Sequence, residues 1–101
     1  EPSSRLADSM VRVSEQPITD AATAALVAAQ RAYNDASARV RAWHFAHPEL
    51  PAHWSVADNH RHDDLHAAEQ SALIRLHILR AEHHATGYDA VRMIEKLAAE
   101  E

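Results

Sequence analysis

Between Thr19 and His47, apolar side chains recur at intervals of four and then three: Ala22, Leu26, Ala29, Tyr33, Ala36, Val40 and Trp43, closing on His47. That interval keeps one face of an α-helix in register with a neighbour, so it predicts a helix over residues 19–47 with a coiled-coil-type seam. Thr19 or Asp20 can cap its first orphan N–H groups. Pro48 stops it, because the residue before a proline is pushed out of the α region. Large residues alternate with alanine along the seam, which lets a second helix approach closely.

Residues 48–55 (PELPAHWS) carry two prolines and read as a stiff connection. Ser55-Val56-Ala57-Asp58 has the capping-box spacing that opens a helix, and a second helix is expected over residues 56–85. Its apolar positions fall on two opposed faces. Leu65, Ala68, Ala72, Leu76, Leu79 and His83 make one face; Ala67, Ile74, Ile78, Ala81 and Ala85 make the other, with Leu73 between them. The first helix can cover only one of these faces. Gly87 interrupts the pattern and suits the C′ position of the second helix. Tyr88, Val91, Ile94 and Leu97 or Ala98 then predict a short third helix over residues 88–99, with Glu100 and Glu101 set badly against the negative end of its dipole and expected to fray. Residues 1–17 hold no sustained period and end in Pro17, so they read as a flexible arm ahead of a single helical domain, 18–101.

The pattern therefore specifies an all-α protein, a long antiparallel helical hairpin with a short C-terminal helix. Composition adds a requirement. Apolar residues make up 47% of the 101, but twenty-two of those are alanine. Alanine buries little area, and the hydrophobic gain follows area at about 25 cal/mol per Å². So small an apolar core is marginal for one chain. Pairing two copies through Ile74, Ile78, Ala81, Ala85 and Ala67 would bury the second face, and a two-fold homodimer forming a helical bundle is the expectation.

Other classes are disfavoured. No run of apolar residues is long enough to span a bilayer, and no charged-then-apolar leader opens the chain, so the expected setting is the cytoplasm without membrane attachment. Cysteine is absent, which removes disulfides, zinc ribbons and thiol catalysis. A net charge of −5 disfavours nucleic acid, which selects basic surfaces. A helix-turn-helix over residues 78–97 would offer only Arg92 and Lys96 to phosphates. Nine of the ten basic residues are arginine, a bias of high-GC genomes.

Nine histidines are the unusual feature. His62 and His66 are four apart and share a helix face. With Glu69 one turn on, they form a candidate site for a divalent transition metal such as zinc or nickel. The H-E-x-x-H pattern is absent, and no glutamate has a histidine three residues later, which argues against a di-iron bundle. Histidines along the second helix also make a pH-responsive assembly conceivable, since their protonation would turn the net charge positive. Trp43, Phe45 and Trp54 bracket the connection, either closing a small core over the hairpin end or presenting an aromatic hot spot to an unidentified protein partner.

In layout the chain resembles the secreted W-x-G helical hairpins: about 100 residues, two long helices and a tryptophan in the connection. Trp54-Ser55-Val56 carries valine at their glycine position, Tyr88 is followed four residues later by Arg92 where they carry an acid, and two prolines stand in the connection. The likeness is confined to layout. No catalytic motif is present, so the expected function is a non-enzymatic helical interaction module that self-associates, with a histidine-based metal-binding bundle as the alternative.

Overall fold

In the computed structural model, which describes residues 19–100, Thr19 opens the first helix by the expected contact: its hydroxyl accepts from the Ala22 N–H at 3.1 Å. Helix α1 spans Asp20–Ala46 and ends at His47, whose φ of −127° lies outside the helical region, just before Pro48. A 3₁₀ turn, Pro51–His53, leads to Ser55, whose hydroxyl accepts from the Asp58 N–H and caps α2, Val56–Glu82. Helix α3 spans Tyr88–Ala99. The described residues are all-α: α1 and α2 form a long hairpin, and α3 folds back onto α1. The arm expected over residues 1–17 lies outside the described residues. None of the described helices is long and apolar enough to cross a membrane.

The four-three series of α1 is the inner seam. Ala22, Leu26, Ala29, Val40 and Trp43 are buried, and Tyr33, Ala36 and His47 are half-buried. The core has two apolar centres. Near the open end of the hairpin, Leu26 packs with Ala85 and Ile94, surrounded by Val27, Leu79 and Ala90. Near the connection, Val40 and Trp43 pack with Leu65 and Trp54. Between the two centres the seam carries a buried polar residue, Gln30, and burial obliges its amide to find partners. It accepts from the Arg80 guanidinium at 2.8 Å and donates to Asn34 at 3.0 Å.

Two expectations about the end of α2 are corrected. The helix stops at Glu82, not at residue 85. His84 takes the left-handed conformation, with φ of 53°. The His84 N–H then bonds the Ala81 carbonyl and the Ala85 N–H bonds the Arg80 carbonyl at 2.8 Å. This is a Schellman closure with histidine where glycine is usual. Gly87 does not occupy that position. It is the N-cap of α3 with φ of −69°, which any residue adopts. The closure also redirects Ala85. Instead of lying on the outer face of α2, it is fully buried against Leu26 and Ile94. The rest of that face, Ala67, Ile74, Ile78 and Ala81, is exposed, because α3 packs on α1 and leaves it bare.

Candidate metal centre

The connection end of the hairpin is built around Trp43. Its ring stacks on His47 at 4.1 Å between centroids and meets Trp54 edge-on at 4.7 Å. His47 is fixed twice more: Nδ1 lies 2.9 Å from the Trp43 carbonyl, and Nε2 lies 3.7 Å from Asp58. Of the two expectations for the tryptophans, a small core over the hairpin end and an exposed hot spot, the structure shows the core. Trp43 is buried against Val40 and Leu65, and Trp54 is half-buried beside it. Two large apolar indoles gain more from each other than from water. Only Phe45 of that trio faces solvent, at 89% exposure, since it lies opposite the seam.

On the flank of this core three imidazoles meet. His62 and His66 come from successive turns of α2, with ring centroids 4.2 Å apart. His44 comes from α1, one residue past the buried Trp43, and its Nε2 lies 3.3 Å from His66 Nε2. One nitrogen from each of His44, His62 and His66 fits within a mutual 4.8 Å. Tetrahedral zinc with Zn–N bonds of about 2.0–2.1 Å holds ligand nitrogens about 3.3–3.4 Å apart. The His44–His66 pair already stands at that spacing, and a nitrogen of His62 lies within 4.8 Å of both. Trp54 and Trp43 lie against His62, at 4.9 and 5.3 Å between centroids, and shield one side of the cluster.

The outer nitrogens of the α2 pair face carboxylates. His62 Nδ1 is 3.1 Å from Asp63, and His66 Nδ1 is 3.9 Å from Glu69, whose side chain is only 17% exposed. A carboxylate at Nδ1 favours the proton there and leaves Nε2 a bare lone pair, the form a metal takes.

Of the expected ligand set, the structure brings together His62 and His66 but not Glu69, which reaches the side of His66 turned away from the cluster. His44 completes it, and no local motif marked that residue. Folding the chain symmetrically about the middle of the connection would set His44 opposite Asp58. Instead the connection doubles back to seat Trp54 on Trp43, and His44 faces His66, about two turns further along α2. Comparison of the chain with known protein families, curated proteins and solved structures finds no match.

Proposed function

We propose that this chain is a non-enzymatic helical module that binds a divalent transition metal, zinc or nickel, between α1 and α2. The observation that carries this reading is the approach of one nitrogen each from His44, His62 and His66, on two helices, to within 4.8 Å of one another. Three neutral imidazoles are a borderline-soft donor set suited to zinc, nickel and copper. Asp63 and Glu69 orient two of the rings. A fourth position is left for water or an outside ligand. Because the donors belong to both arms of the hairpin, the ion acts as a clamp: it stabilises the folded chain and rigidifies the end that presents Phe45. A protein-interaction role is the second reading, favoured by the exposed Phe45 and the bare Ile74–Ile78 face.

The test is zinc titration by calorimetry, with native mass spectrometry, on untagged protein purified without a metal column. The expected result is one zinc per chain, with binding lost in His44→Ala. Absence of stoichiometric zinc, or undiminished binding in His44→Ala, overturns the proposal.

A further inference from the structure

The outer face of α2 carries a second, independent feature. Ile74 and Ile78 are 58% and 52% exposed, and they line an open groove with Ser71, Arg75, Leu79 and Glu82. At 100° per residue, Arg75, Ile78, Leu79 and Glu82 lie within an arc of about 100°. Arg75 and Glu82 are seven residues apart and nearly in line along the axis. Neither makes a hydrogen bond or an ion pair among the described residues. Their own helix offers no partner either, since three and four residues from each stand only uncharged side chains. Glu82 also sits in the last turn of α2, where the helix dipole disfavours an anion.

An apolar pair framed by one unpaired cation and one unpaired anion is self-complementary under a two-fold axis. We infer that the occupant of this face is a second copy of the chain, with the two α2 helices antiparallel and the axis passing between Ile78 and Leu79. In that register Ile78 packs on the partner's Leu79, and Arg75 meets the partner's Glu82. Each contact occurs twice. The pairing buries the exposed isoleucines and gives Glu82 the cation its position lacks. It lies on the flank of α2, bordered by Leu79 at the edge of the core cluster, and uses none of the histidines of the candidate metal centre.

Sedimentation equilibrium over a range of concentrations, in the presence of chelator, tests it. Wild type is expected to form a dimer. Arg75→Glu and Glu82→Arg each place like charges together twice and are expected to weaken the dimer about tenfold or more. The double variant restores it. Mixing the two single variants yields a heterodimer, because every cross-pair is then of opposite sign. Circular dichroism confirms that each variant stays helical. A wild-type chain that remains monomeric throughout, leaving the face to a different protein, overturns the inference. So does a dimer indifferent to the exchanges. Adding His44→Ala should leave the dimer unchanged, so failure here and failure of metal binding are separately visible.

Discussion

His44 on α1 and His66 on α2 stand with their Nε2 atoms 3.3 Å apart, and the Gln30–Arg80 hydrogen bond spans the same hairpin at 2.8 Å. The two links are fourteen residues apart on each helix, so both belong to one antiparallel register. Fourteen residues are about 21 Å of helix. The buried Gln30 with its Arg80 partner and the two histidines thus share one alignment of the helices.

A metal held by both arms binds the folded chain and not the unfolded one. Zinc at a hundred times its dissociation constant is expected to stabilise the protein by about 2.7 kcal/mol. Thermal melts with zinc and with chelator measure this, and the difference should vanish in His44→Ala. Glu69→Gln keeps all three ligands but loses the charge beside His66, and is expected to weaken zinc binding about 10- to 100-fold.

His84 holds a left-handed conformation that costs an L-residue about 1–2 kcal/mol. Glycine carries no such cost in the folded state but loses more backbone entropy on folding. The net expectation for His84→Gly is a gain of about 0.5–1 kcal/mol in chemical denaturation. A loss of stability would show that the imidazole itself contributes at this corner.

Leu26 is fully buried where all three helices meet, whereas Ile74 is 58% exposed. Leu26→Ala is expected to cost about 2–5 kcal/mol, as buried leucines do. Ile74→Ala, measured dilute enough to prevent self-association, should stay within about 0.5 kcal/mol. Equal costs for the two would place the core elsewhere.

Arg31 reaches the last turn of α3. Its guanidinium donates to the carbonyls of Ala98 at 3.3 Å and Glu100 at 2.7 Å. These are carbonyls a helix end leaves without partners. Fraying was expected there because of the terminal acids, and this cation offsets it. Arg31→Ala is expected to cost about 1 kcal/mol and to speed amide exchange in α3 while α2 stays protected. Unchanged exchange in α3 would refute the anchoring role.

Local order determined most of the fold. The four-three series from Ala22 to His47, the caps at Thr19 and Ser55, and the stop at Pro48 each act within a turn or two of chain, so the helices and their inner faces are legible in sequence. The i, i+4 pair of His62 and His66 is legible for the same reason. What joins them is not. His44 reaches His66 only because Trp54 folds back on Trp43 and slides one helix along the other, a displacement that depends on how two indoles pack. Glu69 was misplaced because a helical period gives a face but not the side of a ring that a carboxylate reaches. Ala85 left its expected face because a left-handed His84 turned the chain inward. Periodicity fixes direction around one axis; the offset between two axes is decided by packing, and that offset makes the site.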